Sequence, residues 1–396
     1  MKKIFSNILF WLLVAIILGI VSGLFIGEGG VKGVMVLKQI IGQVIFFLVP
    51  LIIIGFIAPS IASMQGNTSK ILLFIFAVAY LSTEGAALLA IGMGKVVIPW
   101  LDITESASLA ALPASVFNLE IAPVMSVMSA LVLSIFLGIG VSWIKSAEFA
   151  KLLEQFRSIV LLLVKRILIP LLPFYVASNF CLLTYRGFLP QLKIFVLVIL
   201  VAVIGHYIWL AILYAVAAIY SGKNSLKVLK KYPRAYFTAL GTMSSAASLG
   251  VALDCAHSCD LIDDEVADYS VPLFNNIHLC GSVLSVVLFV CAVSQVLYGS
   301  MPTVGSMVVF VLILGVIAIG APGVPGGTIM ASIGLITTIL VVPGAPGGHL
   351  GDSAAAILIT MFTIQDCFGS ACNLTGDGAL TLIVNTYVRR NHTKIS

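Results

Sequence analysis

Uninterrupted apolar runs recur along the chain near residues 8–26, 34–64, 71–100, 123–143, 158–185, 191–220, 270–298 and 353–388, each long enough to cross a bilayer as a straight or tilted helix. A chain patterned this way has lipid as its main solvent. Every backbone N–H and C=O within the hydrocarbon must then find its partner inside a helix. With 60% apolar and 9% charged residues, the 396-residue chain is excluded from the water-soluble globular class. Membrane helices share one packed bundle, so a single membrane domain is expected.

Two further apolar stretches, 235–256 and 305–342, carry small and helix-breaking residues at their middles and read as hairpins that enter and leave the membrane on one side. The expected fold is an all-α polytopic membrane protein with eight transmembrane helices and two re-entrant helical hairpins. The charged start Met1-Lys2-Lys3 is signal-like. No small-x-small cleavage site precedes Gly27-Glu28-Gly29-Gly30, so the first run is expected to be retained as a span. Placing both termini in the cytoplasm puts 16 of the 21 Lys and Arg residues inside and leaves Lys32, Lys38, Lys95, Arg186 and Lys193 outside, as the positive-inside rule requires.

The net charge of +5 is thus a topology signal, and nucleic acid is not implied. Seven cysteines, mostly in apolar runs, argue against a disulfide framework. Cys255-Ala-His257-Ser-Cys259 could hold a soft metal, but a fourth ligand at a familiar spacing is missing. The acidic run Asp260–Glu265 reads as a solvated loop and helix start. Pro343-Gly-Ala-Pro-Gly-Gly348 reads as an exit turn at the outer surface.

Against this background, Asp366, Asn373 and Asp377 stand out inside the last apolar run. An acid at membrane depth costs roughly 2.5–3.5 kcal/mol on insertion scales, so it normally faces a polar cavity and a cation or substrate there. Three breaks accompany these acids: Thr242-Met-Ser244-Ser245-Ala-Ala-Ser248, Asn275-Asn276-Ile-His278-Leu-Cys280-Gly281-Ser282, and Gly320-Ala-Pro-Gly-Val324-Pro-Gly326-Gly327. Helix starts at the hairpin tips aim positive dipole ends at an anionic group. The order hairpin, helix, hairpin, helix suggests two repeats facing opposite sides of the membrane, with a small hydrated chamber between them and alternating access as the consequence. This is the pattern of a transporter, with no enzyme chemistry.

At these residues the chain resembles the dicarboxylate/amino acid:cation symporter family, the sodium:dicarboxylate symporters that include glutamate and aspartate transporters. The likeness is most specific over Ser244–Asp377, in the serine-rich hairpin, the broken seventh span, the second hairpin and Asn373-Leu-Thr-Gly-Asp377. A weaker likeness, including Phe46-Phe-Leu-Val-Pro50, extends over the first half. The resemblance implies a homotrimer in the plasma (inner) membrane that works by an elevator-type mechanism. Residues 1–234 would hold six spans and the trimerisation scaffold, and 235–388 the transport core.

The resemblance also implies a binding mode. Asp366 would hold a substrate ammonium. Asn373 and the tip amides around Ser244, Ser245, Val324 and Gly326 would hold the α-carboxylate, and Asp377 a sodium ion, with Asn373, His278 and Asn276 as neighbouring cation candidates. Sodium is the implied coupling ion, protons are a second candidate, and no organic cofactor is implied.

Departures from the family pattern refine this. Gly369 stands where members for acidic substrates carry arginine, which disfavours glutamate, aspartate and succinate. A small neutral amino acid of the serine, threonine or alanine kind is expected, with Gly369 leaving room for its side chain and Ser282 and Ser370 available to hydrogen-bond. The family's seventh-span Asn-Met-Asp-Gly-Thr reads His278-Leu-Cys280-Gly281-Ser282 here, so one sodium site should be lost or weakened. Ser82-Thr83 aligns with hydroxyls of that site and is followed by Glu84, so Glu84 and His278 are expected to form a protonatable pair.

Three competing functions remain. A dicarboxylate or acidic amino acid symporter would need another cation, and no Lys or Arg lies in either hairpin tip or in the last span. An intramembrane hydrolase would use Ser244 or Ser245 with His278 as base. A passive channel would leave Asp366 unexplained.

Overall fold

The computed structural model describes residues 8–62, 69–101, 112–114, 117, 119, 121–187, 192–321 and 326–391. Among these the chain is almost wholly helical, and helices occupy all eight apolar runs and both expected hairpins. In chain order they are α1 (Ile8–Phe25), α2 (Glu28–Ala62), α3 (Ser69–Val97), α4 (Val127–Ile144), α5 (Ala147–Leu163), α6 (Ile169–Tyr185), α7 (Leu192–Ser221), the short α8 (Leu226–Leu229), α9 (Pro233–Thr242), α10 (Ser245–His257), α11 (Asp264–Ile277), α12 (Cys280–Tyr298), α13 (Val304–Ile319), α14 (Gly327–Ile339) and α15 (Asp352–Asn391).

Six stretches among the described residues are long and apolar enough to cross a membrane: Glu28–Pro59, Lys70–Leu101, Ala147–Tyr185, Lys193–Ser221, Asp264–Tyr298 and Ser353–Asn391. The runs expected near 8–26 and 123–143 form shorter apolar helices. Large side chains such as Phe25, Trp100, Trp143 and Ile219 are more than 80% exposed, a surface suited to lipid and ill suited to water.

Several helices start before the apolar runs do. α2 begins at Glu28 rather than 34, helped by the Glu28–Lys32 ion pair one turn apart at 2.8 Å. α5 begins at Ala147 rather than 158, because Ser146 caps it by accepting from the Phe149 amide and its first turns are amphipathic. A π-turn at Val164–Leu168 joins α5 to α6 just ahead of Pro170, whose missing N–H cannot complete the helical ladder.

Packing sorts the helices into two groups. α1 lies on α6, and α2 packs with α4, α5 and α6. α15 forms the centre of the second group, surrounded by α7, α9, α11, α12 and α14, while α3 packs on α12 and α13. α12 is buried on nearly every side, which suits a helix apolar almost all round, and α15 is buried over most of its length with its polar side chains turned into the bundle. Their backbones approach closely at Gly281, where a Cβ would fall 2.7 Å from the Gly369 carbonyl oxygen. Interior hydroxyls return to their own helix: Ser270, Thr360 and Thr363 donate to the carbonyls of Val266, Ala356 and Ile359.

The acidic run ties the end of α15 to the α10–α11 loop. Arg389 Nε donates to Asp263 Oδ2 at 2.8 Å and its Nη2 to Oδ1, while Asn385 bonds the Asp263 amide and the Leu261 carbonyl. The Arg389 guanidinium holds the Asp263 carboxyl below the usual carboxylate range. All seven cysteines are free and buried. Cys255 and Cys259 turn inward from α10 and the residues just after it while His257 turns out to Asp268 at 2.8 Å, and no group of three or more His, Cys, Asp or Glu among the described residues could hold a metal. The spacing i, i+2 puts His257 on the opposite helix face, which is why the Cys-His-Cys cluster does not assemble.

Candidate functional site

Asp366, Asn373 and Asp377 follow one another at spacings of seven and four, so α15 presents all three along one face. Each meets a break in a neighbouring helix. They are at most 3% exposed.

At the first position the second hairpin arrives. Gly326 caps α14 with φ +75°, a conformation open to glycine, and its amide donates to Asp366 Oδ2 at 2.6 Å. The carboxylate sits at the positive end of α14, where an anion is favoured. The Gly326 amide expected to hold a substrate carboxylate is therefore engaged by Asp366 here. Val324 lies outside the described residues.

At the second position Asn373 completes α12. The chain leaves the helical conformation at His278, with φ −108° and ψ 99°, and resumes at Cys280, which exposes the first amides of α12. Asn373 Oδ1 accepts from the Gly281 amide at 2.7 Å and the Ser282 amide at 3.3 Å, and its Nδ2 donates to Ser282 Oγ at 3.0 Å. The residue expected to bind substrate carboxylate or a cation is a helix cap supplied from another helix. His206 supports the same turn: its Nε2 lies 3.0 Å from the Gly281 carbonyl oxygen and 2.9 Å from Ser285 Oγ.

At the third position Asp377 Oδ1 lies 2.8 Å from His278 Nδ1, and His278 Nε2 lies 2.8 Å from Ser82 Oγ. If Asp377 is ionised its oxygen only accepts, so Nδ1 carries the hydrogen and in the neutral ring Nε2 accepts from the Ser82 hydroxyl; a protonated Asp377 reverses both bonds. Both side chains are at most 1% exposed. Gly376 leaves space for the ring: a Cβ there would fall 2.9 Å from His278 Cε1. Asn276, another expected cation neighbour, is exposed and turns away, with Oδ1 accepting from Arg157 of α5 at 3.4 Å and Nδ2 donating to the Pro272 carbonyl.

Two sequence expectations need correction. Glu84 and His278 do not pair, because both imidazole nitrogens are engaged by Ser82 and Asp377, and Glu84, two residues beyond Ser82, points from another face of α3. Glu84 is buried against α13, where a Cβ on Gly315 would overlap its Oε1, and neither of its oxygens has a hydrogen-bond partner. Gly369 does not open space for cargo: a Cβ there would meet Ser282 Oγ at 3.2 Å and Ser282 N and Cα at 3.3 Å, so the missing side chain lets α12 approach. The hydrolase geometry fails as well, since His278 serves Ser82 and not Ser244 or Ser245. The order Ser82, His278, Asp377 has the connectivity of a nucleophile relay. Ser82, however, lies inside α3, whose amides are bonded along the helix, so its own backbone offers no N–H to an oxyanion.

The first hairpin turns at Met243, a buried residue with φ 54°, and Ser244 caps α10 by accepting from the Ala247 amide at 3.3 Å. Ser245 is buried in the first turn, and Ser370 is buried on α15. Thr242 Oγ1 and Ser248 Oγ lie 3.0 Å apart across the tip. Sequence reasoning missed His206, Ser285 and Gly376. An imidazole in the middle of the apolar run 191–220 was the available signal for the first, since a polar ring in lipid needs a partner.

A comparison of the chain with curated proteins finds no match. The model of the sodium:dicarboxylate symporter family matches residues 8–387, nearly the whole chain and all of the site. The chain therefore belongs to the sodium:dicarboxylate symporter family and is a multi-pass membrane transporter.

Proposed function

We propose that this symporter takes up a small neutral amino acid, of the serine, threonine or alanine kind, between Asp366 and the tip of the second hairpin. The observation that carries the reading is the 2.6 Å bond between Asp366 Oδ2 and the Gly326 amide. A buried carboxylate and a helix start face each other, and a zwitterion offers the complement of each: its ammonium for Asp366, its carboxylate for the amide. Substrate binding then exchanges one charge-assisted bond for two. Ser244 and Ser245 at the first hairpin, Val324, and Ser282 and Ser370 are proposed to complete the pocket once the tips part.

Membership of the family implies sodium coupling. Glu84 is kept as a proton-coupling candidate because its buried carboxyl lacks a partner beside the first helix of hairpin 2. Uptake by Glu84→Gln that keeps its dependence on a pH gradient removes that role. We further propose eight spans with two re-entrant hairpins, and a homotrimer whose scaffold is drawn from α1, α2, α4, α5 and α6. The grouping of α3 and α7 with α12 and α15 supports an elevator unit that carries these two helices along with residues 235–388.

The dicarboxylate reading has one observation in its favour. Arg157 reaches the α11–α12 break through Asn276 and is a cation that sequence patterning did not place there. Yet a second carboxylate beside Asp366 would bury like charges together, and Arg157 belongs to the peripheral helices. Uptake into proteoliposomes, with sodium and pH gradients imposed separately across neutral amino acids, acidic amino acids and succinate, tests the choice. Saturable, sodium-driven uptake of a neutral amino acid that is abolished by Asp366→Asn is expected. Uptake of succinate alone, abolished by Arg157→Gln, refutes the reading.

A further inference from the structure

Asp377 was expected to hold sodium with help from Asn373, His278 and Asn276, and these four residues do not form a ligand set. Asn276 faces Arg157, Asn373 Oδ1 holds two amides of α12, and Asp377 Oδ1 is taken by the His278 ring. We propose that the His278 side chain occupies the position of an alkali cation at Asp377, so that His278 fixes the ion dependence of this transporter by removing sodium from that position.

The imidazole does there what a cation would do. It bonds the Asp377 carboxyl group on one side and the Ser82 hydroxyl on the other, joining α3, the α11–α12 break and α15 through two 2.8 Å bonds. The fit is built: Gly376 leaves the face of the ring free, and a single methyl there would fall 2.9 Å from Cε1. Both partners are fully enclosed, so no bulk water completes a coordination shell. Asp377 Oδ2 is left without a partner, and one carboxylate oxygen is too few for an alkali ion, which prefers several oxygen ligands. Imidazole nitrogen is a poor substitute, being better suited to transition metals.

The inference rests on the symporter reading only in taking Asp377 as the cation position, and its test needs no transport. The purified full-length protein is titrated with sodium chloride against choline chloride at constant ionic strength, and thermal unfolding is followed. The wild type and Asp377→Asn are expected to share the same sodium midpoint within about two-fold, because Asp377 does not bind the ion. His278→Asn, which supplies an amide oxygen and vacates the ring's space, is expected to gain a sodium midpoint at least ten-fold tighter, and the double variant to lose that gain. A wild-type sodium response that disappears in Asp377→Asn, or a folded His278→Asn without a gain, overturns the proposal. Should these variants not fold, the wild type alone decides. The downfield His278 Nδ1–H resonance is expected to persist in saturating sodium, and its disappearance on replacing choline with sodium overturns the proposal.

Discussion

Asn373→Ala tests whether this residue is first a helix cap. In the wild type its Oδ1 satisfies the amides of Gly281 and Ser282, the second at a longer 3.3 Å, and its Nδ2 holds Ser282 Oγ. Truncation strands two helix-start amides and removes one of the partners of the Ser282 hydroxyl in a buried site, at about 1–3 kcal/mol for a buried group left unsatisfied. The weaker contacts lie nearer the ~0.6 kcal/mol found between membrane helices, so a total of about 2–4 kcal/mol is expected. That energy appears as local opening of the first turn of α12. Hydrogen exchange of peptides covering Gly281 and Ser282 is expected to rise about 30-fold or more, while peptides from α1 and α6 stay unchanged. Exchange in that turn altered by less than about three-fold, together with abolished substrate binding, would mean that Asn373 meets the cargo directly and that the cap is incidental.

Other substitutions test single contacts. Gly369→Ala should destabilise the protein by about 1–3 kcal/mol by pressing on Ser282, read by thermal unfolding, and Gly369→Arg should not confer aspartate uptake, because α12 fills the space such a side chain needs. Gly326→Ala, at φ +75°, should cost about 1–2 kcal/mol and loosen the tip, seen as faster exchange in α14. Arg389→Gln should lower stability by under about 1 kcal/mol, since the pair is nearly half exposed. Because the folded Asp263 carboxyl is lowered, the wild-type advantage is complete above its unfolded value of about 4, and it vanishes as the pH falls through the folded value. An advantage that grows in acid contradicts the pairing.

Apolar run length made most of the helices legible, and Pro, Gly and Ser at their middles marked the breaks. What length could not show is where a helix extends past its apolar stretch, as α5 does at Ser146, because a cap and an amphipathic turn carry no hydropathy signal. The face shared by Asp366, Asn373 and Asp377 was readable from spacing alone. Their partners were not. Spacing along one helix says nothing about which break in another helix stands opposite, so Glu84 was paired with His278 although Ser82, two residues away, is the one that reaches the ring. Gly369 misled for a related reason: a missing side chain looks like room for cargo until the neighbouring helix is seen to fill it.

The bond between Asp366 and Gly326 separates two tasks that one carboxylate performs, closing the hairpin and receiving an ammonium. Asp366→Asn removes the charge and keeps an oxygen that can accept from the Gly326 amide. A bond from N–H to a carboxylate contributes about 1.5–3 kcal/mol and a neutral one about 0.5–1.5, so the closed tip should weaken by about 1–1.5 kcal/mol, roughly ten-fold in opening. Hydrogen exchange at the start of α14 in Asp366→Asn should therefore rise by about that factor and then ignore added serine. In the wild type, serine should change exchange at the same place and succinate should not, because only the zwitterion replaces both halves of the bond it breaks. If succinate alters the wild-type pattern as serine does, charge at the hairpin tip is balanced by a cation outside α14 and α15, and the neutral amino acid reading fails.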